Sequence, residues 1–251
     1  MMKQPFYLIQ PNPWPILMSL NLFNLINSMI NWMEEKILTF LIMNLFFTSI
    51  CSIKWWIHIK TESLLKGQHT FLIYQNLKMA MIMFIFTEIL LFTSLLWNFF
   101  YMKKLNYDMM WPPKFLLMIN PYHIPLLNTL ILFSSSITIT WSHHCLINKN
   151  YKIMKISSFI TLMLGITFIT LQIYEFFTMK FNMNDSIYGS SFYLTTGFHG
   201  FHVIIGLMFI SSYMIKMKYS NSWHNFNFES ASWYWHFVDL VWLFVYTSLY
   251  L

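Results

Sequence analysis

Apolar residues in this chain gather into seven runs, each close to the ~20 residues that an α-helix needs to cross a bilayer at about 1.5 Å per residue. Charged residues and prolines fall between the runs. The pattern predicts spanning helices over 15–33, 37–56, 79–102, 126–147, 156–177, 188–215 and 232–251. The first run is the most polar. Its Asn21, Asn24, Asn27 and Asn31 recur at about helical spacing and can share a face toward a partner helix. All eight prolines lie at or before Pro125, in connections or at helix starts, where a missing N–H does no harm. Pro112, Pro113, Pro121 and Pro125 bracket one long connection. No internal repeat or low-complexity linker breaks the pattern, so residues 1–251 are expected to form a single membrane domain. The predicted fold class is an all-α membrane protein with seven transmembrane helices.

Composition strengthens this reading. Hydrophobic residues make up 57% of the chain and charged residues 10%, against roughly 25% charged in a soluble domain. The mean hydropathy is +0.52. The formal charge of +6 comes from lysines scattered between apolar runs, with no dense patch of the kind that binds nucleic acid. Seven crossings put the two ends on opposite sides, and loop lysines set the orientation. Ten (Lys3, Lys54, Lys60, Lys66, Lys78, Lys149, Lys152, Lys155, Lys216 and Lys218) fall on the N-terminal side. Five (Lys36, Lys103, Lys104, Lys114 and Lys180) fall on the other. The N-terminus is therefore expected inside, which in a mitochondrion is the matrix.

Cys51 and Cys145 share no metal-type spacing and read as isolated membrane-buried thiols. No secretory signal or Arg-rich transit segment follows Met1. The 15 basic residues are all lysine, methionine occurs 20 times, and only Ala80 and Ala231 are alanine. AT-rich codons write such a chain, and animal mitochondrial codes generally do not read AGA as arginine. The usage fits synthesis from an AT-rich animal mitochondrial genome. A gene poor in ATA codons and balanced in GC would contradict it.

Four places carry candidate chemistry. Glu88 lies about nine residues into the third run, roughly 14 Å deep. A carboxyl there must be protonated, paired or wetted, and it is either proton-linked or a structural hydrogen-bonding group. In the sixth run, Thr195, His199, His202 and Gly206 are spaced four, three and four apart, on one helix face. Small and polar residues in such a stripe bring helices together in lipid. Haem or metal ligation by the two histidines is the sharper alternative, but a bis-His haem needs a partner at matching depth. His143 and His236 lie near inner ends of their runs instead. His236 and Asp239 are three apart and can pair or glue helices, and no nucleophile in a recognisable setting accompanies them. His143 and His144 are adjacent, about 100° apart on a helix, so one metal site cannot readily use both.

After the second run, Trp55, Trp56, Glu62, Lys66 and His69 cluster on the inner side. Aromatic rings suit the membrane interface, and cationic or hydrogen-bonding groups there suit lipid phosphates. Walker, dinucleotide and HExxH signatures are missing from the sequence.

These motifs, in this order, resemble the subunit III family of mitochondrial cytochrome c oxidases. The resemblance rests on Asn12-Pro13-Trp14-Pro15, Trp55-Trp56, Glu62-Ser63, Gly67 with His69-Thr70, Glu88 and Trp111-Pro112-Pro113. It continues through Pro125-Leu126-Leu127-Asn128-Thr129, Thr140-Trp141-Ser142-His143-His144 and Tyr188-Gly189-Ser190. The longest and most specific stretches are 197–206 and 233–239.

The resemblance implies a seven-helix inner-membrane subunit, with two helices splayed from the other five around a phospholipid-filled cleft. It implies no haem or copper in this chain; both belong to partner subunits. Subunit I, which holds the oxygen-reducing centre, is the expected direct partner, with subunit II and other complex IV subunits nearby. Glu88 corresponds to the family's carbodiimide-reactive carboxyl, and Trp56, Glu62 and His69 to its lipid-contacting residues. Thr61 stands where the family has arginine; Lys60 beside it supplies charge without the bidentate fork. A second lipid-associated region keeps His224 but has Asn225 where a histidine is common. Two rival classes remain on the sequence alone. One is a cytochrome binding haem through His199, His202 and His236. The other is a proton-coupled transporter using Glu88, which would call for broken helices in paired halves.

Overall fold

A computed structural model describes residues 11–64, 71–105, 111–113, 116, 119–217 and 226–251. The described residues form seven helices and no strand. They are α1 (Trp14–Glu35), α2 (Thr39–Leu64), α3 (Phe71–Leu105), α4 (Ile124–Ile147), α5 (Tyr151–Thr178), α6 (Ile187–Met217) and α7 (Phe226–Leu249). They overlie the seven apolar runs and extend past most of them, because helix ends in the headgroup zone are built from polar residues that hydropathy does not register.

Local chemistry explains several boundaries. Prolines sit in the first turns of α1 and α4, where the fixed φ suits a helix start. Helix α1 stops at Lys36, which turns left-handed at φ 60° and returns its N–H to Trp32 O. The turn from α4 to α5 is a Schellman cap. Lys149 adopts φ 57°, Asn150 N–H donates to Cys145 O at 2.9 Å, and Lys149 N–H donates to Leu146 O at 3.0 Å. Two carbonyls that α4 would leave unpaired are thus satisfied, and α5 folds straight back along α4.

The chain divides into two compact units, Met1–Met79 and Ala80–Leu251, with the division inside α3. In the first, α1 and α2 run antiparallel. Asn44 donates to Asn24 O at 3.2 Å, and the Cys51 thiol approaches Trp14 O. The buried residue of α1 is Ser28, while Asn24, Asn27 and Asn31 stay exposed. The asparagines thus do not form the buried face expected of them. A small serine permits closer helix approach, and its hydroxyl is satisfied by Leu25 O.

The second unit sets polar residues within its apolar core and is apolar outside. Buried positions recur every three or four residues: Asn128, Leu132, Ser135, Ile139 and Ser142 on α4, and Thr161, Gly165, Phe168, Gln172 and Glu175 on α5. Thr138 and Thr161 hydroxyls meet at 3.0 Å and Ser142 and Ser158 at 2.8 Å, closing the α4–α5 seam. The Trp235 indole donates to Ser135 Oγ at 3.0 Å, tying α7 to α4. Meanwhile Phe133, Trp141, Phe159, Phe201 and Phe244 face outward, and Phe177 is 85% exposed. Such an outer surface is stable only against lipid or another apolar protein.

Five helices (α2 to α6) are long and apolar enough to cross a membrane. Helices α1 and α7 have the length but carry more polar residues. In α7 the reason is position: twelve of its residues are buried, so Ser232, Trp235 and Trp242 need not face lipid.

Candidate functional site: a buried carboxyl–imidazole pair

Glu88 is the central residue of α3, with seventeen helical residues on either side. Its partner is on α6: Glu88 Oε2 lies 2.9 Å from His202 Nε2. The other imidazole nitrogen, Nδ1, is 2.7 Å from Phe198 O one turn earlier. A carbonyl can only accept, so Nδ1 carries a hydrogen. Nε2 then either accepts the proton of a neutral Glu88 carboxyl or, protonated, donates to a carboxylate. In both states the pair holds one shared proton and no net charge, which is the arrangement a low-dielectric interior tolerates.

Aromatic side chains frame the pair. Phe92 meets the His202 ring edge-on at 5.0 Å, Phe237 at 6.3 Å, and Tyr234 stacks over it at 6.4 Å. Helix α3 keeps its Cα atoms more than 8 Å from those of α4 to α7, so large rings bridge the gap: Phe84 to Tyr234, Phe92 to Phe237 and Phe99 to Tyr188.

The rest of the α6 stripe is buried as its spacing predicts. Thr195 donates within its own helix, to Ser191 O at 2.8 Å. His199 is fully buried, with Nε2 3.3 Å from Val238 O on α7. Gly206 exists for Trp235: a Cβ there would stand 2.9 Å from the indole, and one at Gly165 would stand 2.7 Å from it. Gly200 is different. A small residue beside the stripe suggests close helix contact there as well, yet a Cβ would meet nothing within 4 Å. Gly200 lies one position off the buried face, and its smallness is not used by this chain.

His236 and Asp239 do not pair. Both Asp239 oxygens are buried without a hydrogen-bond partner among the described residues. His143 stacks on Phe228 at 6.2 Å while His144 faces outward toward Asn148, so the adjacent histidines diverge. Among the described residues, no three His, Cys, Asp or Glu side chains gather as a metal set.

The cluster after the second run separates into two faces. Trp56, 57% exposed, and Lys60 are four apart on one face of α2. His58 and Glu62 are four apart on another, where Glu62 is buried. There Asn12 holds the N-terminal segment to α2: its amide donates to His58 Nδ1 at 2.8 Å, while its Oδ1 accepts from Trp14 N–H. Glu62 Oε1 is 3.2 Å from the same ring nitrogen. Since that nitrogen accepts from Asn12, no ion pair runs through it in this arrangement. His69 and His224 lie outside the described residues.

One buried acid is absent from the candidates read off the sequence. Glu175, on α5, is fully buried and accepts from the Tyr250 hydroxyl at 2.6 Å. The available signal was Gln172 and Glu175 at i,i+3 inside an apolar run, the same argument that singled out Glu88.

These features define a class: a multi-pass α-helical membrane protein whose polar groups turn inward as hydrogen-bonded pairs. Residues 4–251 match the family model described as cytochrome c oxidase subunit III. A protein named "Cytochrome c oxidase subunit 3" from Rhipicephalus sanguineus is 42% identical over 255 residues, covering 100% of this chain and 99% of that protein. Its namesake from Myxine glutinosa is 40% identical, covering 98% of this chain and 96% of that one. The Drosophila melanogaster protein of the same name is 38% identical, over 99% and 97%. The chain belongs to the cytochrome c oxidase subunit III family, and is thus a subunit of a mitochondrial membrane oxidase.

Proposed function

We propose that this chain is a non-catalytic core subunit of respiratory complex IV in the mitochondrial inner membrane. The complex transfers electrons from cytochrome c to oxygen, reducing it to water with proton pumping. In this reading the seven helices act as a single membrane domain, with the N-terminus in the matrix and the C-terminus toward the intermembrane space. The chain packs directly on subunit I, near subunit II and other complex IV subunits, which hold the haem and copper. Its roles are to stabilise subunit I, to bind structural phospholipid and to support proton uptake.

The observation that carries the proton role is the Glu88–His202 pair, a shared proton at the middle of α3. It also weighs against a haem-binding cytochrome, because both nitrogens of His202 are already engaged. Transport through Glu88 is disfavoured by α3 itself, which is a continuous helix on both sides of the carboxyl. Co-purification with haem- and copper-bearing subunits tests the assignment; a chain that purifies alone with its own Soret band contradicts it. Glu88→Gln is expected to leave assembly intact, since the amide can donate to His202 Nε2, and to slow proton delivery only modestly. Complete loss of oxygen reduction in a fully assembled mutant oxidase contradicts that.

Phospholipid binding is supported by the exposed Trp56 ring on α2, with the half-buried Lys60 one turn further along the same face. Trp56→Ala with Lys60→Ala should lower the phospholipid retained per haem in the purified oxidase. An unchanged phosphorus-to-haem ratio contradicts it.

A further inference from the structure

We propose that the core of helices α4 to α7 contains an internal water-binding site, built by Asn128, Gln172, Glu175, His199 and Trp242. It is separate from the role given to Glu88.

Helix register places these residues together. The Trp235 to Ser135 bond fixes antiparallel α7 against α4. Seven residues along each helix in the matching direction bring Trp242 level with Asn128. The α4–α5 seam, Thr138 to Thr161 and Ser142 to Ser158, extends in the same way to set Gln172 at the level of Asn128. Ring contacts complete the cluster. His199 and Trp242 lie 4.9 Å apart, and Trp242 and Tyr250 6.1 Å apart. The Tyr250 hydroxyl donates to Glu175 Oε1.

Four helices thus converge on polar groups that this chain leaves unpartnered. Both amide atoms of Asn128, Glu175 Oε2, His199 Nδ1 and Trp242 Nε1 are buried with no hydrogen-bond partner among the described residues, and the buried Gln172 amide reaches only toward the Tyr250 hydroxyl. Asn128, Glu175 and His199 have no exposed surface, and Gln172 is 3% exposed. Groups buried in this way are paired in folded proteins, and ordered water is the usual partner when side chains are not.

The donor and acceptor balance selects the ligand. Trp242 Nε1 and the two amide nitrogens can only donate. The two amide oxygens accept, and Glu175 Oε2 accepts as carboxylate or donates as the neutral acid. His199 Nδ1 also accepts, because Nε2 faces Val238 O, which cannot donate. A metal cation would want acceptors alone, and an anion donors alone. Water, with two of each, matches the mixed set.

A cryo-EM map of the intact oxidase, sharp enough to show ordered waters, tests the site directly. We expect at least two solvent peaks, each within about 3.2 Å of two or more of these atoms. Direct side-chain pairing with no peak between them, or a peak ringed only by acceptors at metal distances, overturns the proposal. Asn128→Leu in the assembled complex gives an independent reading through the half-life of subunit retention under heat. If water satisfies the amide, the apolar side chain strands those waters and the half-life falls several-fold. If the amide is dry and unpaired, leucine relieves it, and an equal or longer half-life overturns the proposal.

Discussion

His202 uses both of its nitrogens, and removing it should cost more than altering its partner. His202→Leu leaves the partly buried Glu88 carboxyl at the centre of α3 with no partner, a loss of about 1–3 kcal/mol for an unmade hydrogen bond. Glu88→Gln keeps a donor for Nε2 and loses far less. The expected order of subunit retention in purified oxidase is therefore wild type, then Glu88→Gln, then His202→Leu well below. Equal retention of the two variants contradicts the pairing. Glu88 was legible in the sequence because an acid amid Phe86, Ile89, Leu90 and Leu91 must be paired or protonated wherever it sits. Its partner was not legible, since spacing within α6 puts His202 on the inner face without saying which helix it meets. For His236 and Asp239 spacing misled: sharing a face makes a bond possible, and neighbouring packing decides against it.

Within helices, the small residues separate into those that touch and those that do not. Gly206→Ala and Gly165→Ala each push a Cβ against the buried Trp235 ring, an overpacking that typically costs about 1–3 kcal/mol. Gly200→Ala meets open space on the outer side of the chain. The first two variants should assemble poorly and the third normally, judged by the yield of complex containing the subunit. Normal yield from Gly206→Ala would contradict the fit against Trp235. Sequence pattern offers Gly206 and Gly200 alike for close approach; the position of Trp235 distinguishes them. Helix existence was legible from apolar runs, but helix ends less so. Helix α3 begins at Phe71 rather than 79, because Gln75, Asn76 and Lys78 look like a connection yet continue the turn.

For the molecule as a whole, lysine distribution and helix parity make one joint statement about orientation. Lys149, Lys152 and Lys155 around the α4–α5 turn should lie on the matrix side, and Lys180 after α5 on the other. All four are exposed. An impermeant amine reagent added to sealed mitoplasts is expected to label Lys180, and the other three only after the membrane is opened. Labelling of Lys152 in sealed mitoplasts would reverse the orientation. The lysine asymmetry between the two sides is legible from sequence alone, and the labelling decides which side is the matrix. The inward turn of polar groups in the second unit was legible only in part, because the serines and threonines of α4 and α5 read as ordinary helix residues until their partners are seen.

The central place of α7 has a consequence for manufacture. It is the last of the seven helices to leave the ribosome, and it supplies the inner wall against which α4, α5 and α6 close. The α4–α5 hairpin can zip together as soon as it is made, through its own hydroxyl seam. Until Tyr250 has been translated, however, Trp235's hydrogen-bond acceptor, the His199 ring and the Glu175 carboxyl lack their final surroundings. A chain lacking α7 is therefore an incomplete bundle with polar groups left open to lipid. Completion of the last helix is the event that hides them.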